Sequence, residues 1–137
     1  MNRYTNYLAE ATTDPVILDE LSKNECYYVR WNVARNPNTT PETLDYLSRD
    51  KVLGVCCRVA EHLNTSPETL DYLSKDENYE VRWYVALNPN TSSGTLKQMS
   101  KDEDSETVKY YIKDNPNCSL ETYKYLSALE IIKSIRP

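Results

Sequence analysis

Two columns of side chains recur along this chain, and each is a place to look for chemistry. The first is ionic. Arg30, Arg82 and Lys109 each directly follow a valine, and Asp50, Asp76 and Asp102 form a matching acidic column. Bidentate pairing of guanidinium with carboxylate would make these columns a ladder that ties turns to helices. The other use, a stripe for an acidic partner, needs basic residues in excess of acids. The second column is aromatic. Trp31, Trp83 and Tyr110 lie two residues after the same valines, and Tyr27 and Tyr79 precede the tryptophans by four. Tyrosine and tryptophan are over-represented at binding hot spots. Tyr27, Trp31, Tyr79, Trp83 and Tyr110 are therefore the candidate partner-binding residues, and packing over neighbouring repeats is the competing role for such rings. Cys56 and Cys57 interrupt the two columns in the middle copy.

Catalytic sets are hard to assemble. His62 is the one histidine, and it stands where other copies have Asn36, Asn88 and Asn115, so a turn role is expected. One histidine in a turn supports no Ser-His-Asp or Cys-His arrangement. Asp102, Glu103, Asp104 and Glu106 cluster, but a hard-cation loop spaces its oxygens around a glycine turn, and this stretch has none. Cys26, Cys56, Cys57 and Cys118 form no Cys-x-x-Cys pair, which argues against zinc or a disulfide framework. The vicinal Cys56–Cys57 pair reads as buried small residues, since reactivity needs an electropositive, exposed setting. Asn38, Asn64, Asn90 and Asn117 each begin an Asn-x-Ser/Thr pattern, read here as a by-product of turn chemistry. No catalytic, metal-binding or cofactor-binding residue is expected, and the chain is not expected to be an enzyme.

The elements that must position these columns repeat with them. Leu18, Leu44, Leu70 and Leu96 are spaced by 26 residues, as are Leu21, Leu47, Leu73 and Met99. Val29, Val55 and Val81 keep the same interval, and one extra residue lies between Ser100 and Val108. Each copy divides into two short helices. Thr40-Pro41-Glu42 and Ser66-Pro67-Glu68 open the first, with a hydroxyl cap, a proline at the first helical position and an acid near the positive end of the dipole. Valine pairs four apart, such as Val55 and Val59, give the second helix one buried face. Asn36-Pro37, Asn88-Pro89 and Asn115-Pro116 end it, because a residue before proline avoids helical geometry. His62-Leu63 breaks that pattern, so the helix before it is expected to run on or end loosely.

The reading is therefore a single all-α domain: a cap at 1–11 with a helix over 2–10, repeats at 12–37, 38–63, 64–89 and 90–116, and a closing cap at 117–137 with a longer helix over 120–134. Composition agrees with a folded, soluble chain: 137 residues, 39% hydrophobic and 27% charged. A net charge of −5 disfavours nucleic-acid binding, which usually needs a basic stripe. Scarce glycine, at Gly54 and Gly94 alone, disfavours phosphate-cradling loops. No apolar run is long enough to span a membrane, and the first residues lack an apolar signal core, so a cytoplasmic setting is expected.

The run Asn-Pro-Asn-Thr-x-Pro-Glu-x-Leu-x-x-Leu-Ser-x-Asp, followed by Val-Arg-x-x-Val-Ala, resembles the variant leucine-rich repeat family over about residues 12–127. The resemblance implies a right-handed solenoid of about four to five two-helix repeats, with a short α or 3₁₀ helix alternating with an α-helix, in the style of HEAT-type arrays. It also implies a scaffold that binds a protein or peptide. Some members carry an iron–sulfur domain at the amino end; this chain has no cysteine cluster there. Two alternatives follow from the residues. Arg30, Arg58, Arg82, Lys109 and Lys113 near one helix row could follow a nucleic acid, or an acidic array could mimic one and occupy a basic partner.

Overall fold

The computed structural model describes residues 3–135; residues 1, 2, 136 and 137, assigned above to the two caps, lie outside the described residues. The chain forms α1 (Arg3–Ala11), α2 (Pro15–Leu21), α3 (Tyr27–Arg35), α4 (Pro41–Leu47), α5 (Leu53–Glu61), α6 (Pro67–Leu73), α7 (Tyr79–Leu87), α8 (Ser93–Asp102), α9 (Glu106–Asp114) and α10 (Leu120–Ile135). All are α-helices, and there is no strand among the described residues. None of these helices is long and apolar enough to cross a membrane.

The starts follow the cap chemistry. The Thr40 and Ser66 hydroxyls accept hydrogen bonds from the Thr43 and Thr69 amides, with Pro41 and Pro67 at the first helical position. Ser92 caps α8 in the same way without a proline. Asn36 and Asn88 leave helical geometry with ψ of 123° and 124°. His62 does the same at φ −71° and ψ 132°, so α5 ends as sharply as its neighbours. The expected loose end is not found.

Helices of seven residues are too short to stand alone. Here α1, α3, α5, α7 and α9 pack side by side in one row, and α2, α4, α6 and α8 lie against that row. Helix α10 packs on α8 and α9. Leu18, Leu44, Leu70 and Leu96 have no exposed surface, nor do Val33, Val59, Val85 and Ile112. Ala34, Ala60 and Ala86, also fully buried, allow the row helices to approach closely. Each such leucine stabilises by about 1.5–3 kcal/mol through burial. Short helices that alternate and pack on sequence neighbours are the arrangement of a helical-repeat array.

Polar ladders add to the apolar strip. Between first helices, the Thr43, Thr69 and Thr95 hydroxyls donate to Asp19, Asp45 and Asp71 at 3.4, 3.0 and 3.1 Å. At the ends of the second helices, asparagines reach back one repeat. Asn88 Nδ2 donates to the Ala60 and His62 carbonyls, and Asn115 Nδ2 to those of Ala86 and Asn88. Asn64, Asn90 and Asn117 do likewise two residues further on, which gives three of the four Asn-x-Ser/Thr patterns a structural use, while the Asn38 side-chain amide donates to Asn36 in its own turn. His62 fits this scheme: Nε2 lies 2.9 Å from the Asn36 carbonyl and Nδ1 accepts the Asn64 amide at 3.0 Å. The carbonyl contact needs a hydrogen on Nε2 and the amide contact a lone pair on Nδ1, so the ring carries its proton on Nε2. It thus reproduces both the donor and the acceptor of an asparagine side chain.

A candidate binding face on the second helices

The ionic columns form a brace. Arg30 Nε and Nη2 hold the two Asp50 oxygens at 2.5 and 3.1 Å, and Nη1 donates to the Asn24 and Glu25 carbonyls. Arg82 makes the equivalent set with Glu103 and the carbonyls of Asp76 and Glu77. The acidic column therefore shifts at its last rung. The extra residue keeps α8 helical through Asp102, and Glu103 takes the bracing position in place of the expected Asp102. Asp102 is instead exposed and bonded to Gln98. Lys109 pairs with Glu106 on its own helix. Burial pushes the Asp50 and Glu103 carboxyls up, but guanidinium and backbone hydrogen bonds outweigh it, and both lie below the usual carboxylate range.

The aromatic column has a divided fate. Trp31 and Trp83 are half-buried against the core, and Cys57 between them is 6% exposed. In a row of helices, the outward side of each is shared with its neighbours, so rings of this size settle over the seams. Trp31 lies over α5 where Gly54 has no side chain; a Cβ there would sit 3.7 Å from the indole. Tyr27, Tyr79 and Tyr110 are exposed, Tyr110 at 61%. Tyr27 stacks on Tyr28 with centroids 4.1 Å apart.

Side chains outside the expected set link this column across the row. The Arg35 guanidinium lies 4.8 Å from the Trp31 ring, and that of Arg58 5.4 Å from it. Arg58 also lies 6.0 Å from Tyr84, whose ring is 4.9 Å from Trp83. Trp83 continues to Tyr111 at 5.8 Å, and Tyr111 meets Tyr110 edge-on at 5.2 Å. The face is thus a band of rings crossing α3, α5, α7 and α9, with one guanidinium inserted at α5. Arg58 Nε and Trp83 Nε1 are buried there without hydrogen-bond partners. Sequence reading missed Tyr28, Arg35, Tyr84 and Tyr111. Tyr84 and Tyr111 lie three residues after the valine, where Asn32 and Arg58 stand in the other copies and share little chemistry with them; no periodic signal marks Tyr28 or Arg35.

The other candidates resolve locally. The acidic cluster divides: Glu103 is buried on Arg82, while Glu106 pairs with Lys109 and Lys133. Among the described residues, no group of three or more His, Cys, Asp or Glu is placed to hold a metal ion. Burial pushes the Cys56 and Cys57 thiols up to about 11. The five basic residues that could follow a nucleic acid each have a carboxylate partner: Asp50, Glu61, Glu103, Glu106 and Glu130. Comparison with protein-family models, with curated proteins and with solved structures yields no match.

Proposed function

We propose that this chain is a non-catalytic scaffold that binds a protein or peptide through the aromatic band of its second helices. The observation that carries this reading is the continuous run from Trp31 through Arg58, Tyr84 and Trp83 to Tyr111 and Tyr110. Aromatic and arginine side chains are the preferred anchors of interfaces, and a row of helices offers an extended surface for them. In this reading the exposed Tyr27, Tyr79 and Tyr110 contact the partner first, and Trp31 and Trp83 form the floor. The array is a right-handed solenoid of four to five repeats in the style of the variant leucine-rich repeat family, working in the cytoplasm.

The test is capture of partners by the immobilised chain, compared with the variant Tyr27→Ser, Tyr79→Ser and Tyr110→Ser. All three side chains are exposed, so the variant is expected to fold. Reduced capture supports the proposal, and equal capture by a folded variant removes it. The pairing of the row's basic residues with acids favours this reading over nucleic-acid binding. A mobility shift at low salt, where phosphate contacts are strongest, separates the two.

A further inference from the structure

One rung of the arginine brace is built differently from those on either side. Arg30 joins the α2–α3 turn to Asp50 in the next turn, and Arg82 joins the α6–α7 turn to Glu103. Between them, Cys56 holds the same position and is far shorter. Its thiol donates to the Asp50 carbonyl at 3.1 Å and goes no further toward the next turn. Asp76 is the carboxylate that an arginine at 56 would reach. Its Oδ1 accepts the Asn78 amide at 2.8 Å, as Asp50 Oδ1 accepts the Val52 amide at 2.9 Å. Asp50 also holds a guanidinium, whereas Asp76 forms no ion pair among the described residues. An open cleft of about 420 Å³ lies here, with Leu53, Cys56, Asp76 and Glu77 among its lining.

We propose that this cleft binds a guanidinium group from outside the chain, the side chain of an arginine on a partner segment. The flanking rungs supply the template within the same molecule: a carboxylate from one turn and backbone carbonyls from the turn before it. A planar fork can bridge such a set, while an ammonium engages it as a point charge. Asp76 and Glu77 make the lining attractive to a cation; Lys51, exposed at the rim, and the Arg82 guanidinium, held on the Asp76 and Glu77 carbonyls, oppose them in part. Leu53 offers an aliphatic wall to the arginine stem. This site lies at the interhelical turns and does not depend on the aromatic face.

The test is titration of the ¹⁵N-labelled full chain with ethylguanidinium and ethylammonium, and with Gly-Arg-Gly and Gly-Lys-Gly peptides. Ethylguanidinium is expected to shift the Lys51 and Asn78 amides saturably and to bind about tenfold more tightly than ethylammonium. Gly-Arg-Gly is expected to bind at least as tightly as ethylguanidinium, and weaker peptide binding would rule out a partner's arginine. Asp76→Asn keeps the acceptor for Asn78 and is expected to lower affinity about tenfold. Cys56→Arg is expected to fill the cleft from within, abolish binding and raise the melting temperature. The proposal fails if no amide shift saturates, or if a folded Asp76→Asn chain binds ethylguanidinium as well as the native one.

Discussion

Arg82 holds both carboxylate oxygens of Glu103, at 2.7 and 3.0 Å, and Glu103 is 1% exposed at its side chain. Removing Arg82 leaves the buried Glu103 carboxylate without its counter-charge, with the Ser105 amide as a remaining hydrogen-bond donor. Arg82→Ala is therefore expected to cost about 3–5 kcal/mol in urea denaturation. Glu103→Ala should cost less, since Arg82 keeps two carbonyl contacts and is 21% exposed.

The same brace sets a pH dependence. The folded-state values of Asp50 and Glu103 are lowered, so the folded chain holds these protons less tightly than the unfolded one. Their contribution is fully present above the unfolded values, about 4, and is lost as pH falls through the folded values. Denaturation between pH 7 and 2 should show stability declining below about pH 4. The decline should be shallower in Glu103→Gln; an identical slope would remove Glu103 from the account.

His62 donates and accepts where other repeats use asparagine. His62→Asn should restore the common contact set and leave stability near the native value. His62→Ala should cost about 0.5–1.5 kcal/mol, because it removes the hydrogen bonds to the Asn64 amide and to the Asn36 carbonyl, which keeps the Thr39 amide. Equal stability of the two variants would contradict the mimicry.

Gly54 sits in the first turn of α5 with ordinary van der Waals space toward Trp31. Gly54→Ala should stabilise by about 0.4–1 kcal/mol, chiefly by restricting the unfolded chain. A loss of stability would show that the indole needs the bare backbone.

Leu70→Ala removes a side chain with no exposed surface from α6. It should cost about 2–5 kcal/mol. Coupling between neighbouring repeats should spread the loss through the array, visible as lowered amide protection in α5 and α7 as well as α6.

The helices were legible because the leucine and valine columns, the Ser/Thr-Pro starts and the Asn-Pro ends all indicate the same register. Three features were not. The sharp end of α5 depends on where two ring nitrogens fall, which residue type alone does not give. The shift from Asp102 to Glu103 depends on how one inserted residue is absorbed, and only the backbone shows that α8 lengthened. The aromatic band was half legible. Spacing located the tryptophans, but the position three after the valine carries asparagine, arginine and tyrosine in turn, so no periodic signal marked Arg58 or Tyr84.

The backward-reaching amides give the array a direction of assembly. Asn64, Asn88, Asn90, Asn115 and Asn117 donate to carbonyls roughly one repeat earlier in the chain. During synthesis, those acceptors leave the ribosome before their donors do. Each newly emerged unit thus meets a finished docking edge, and the stack can lengthen in the order in which it is made.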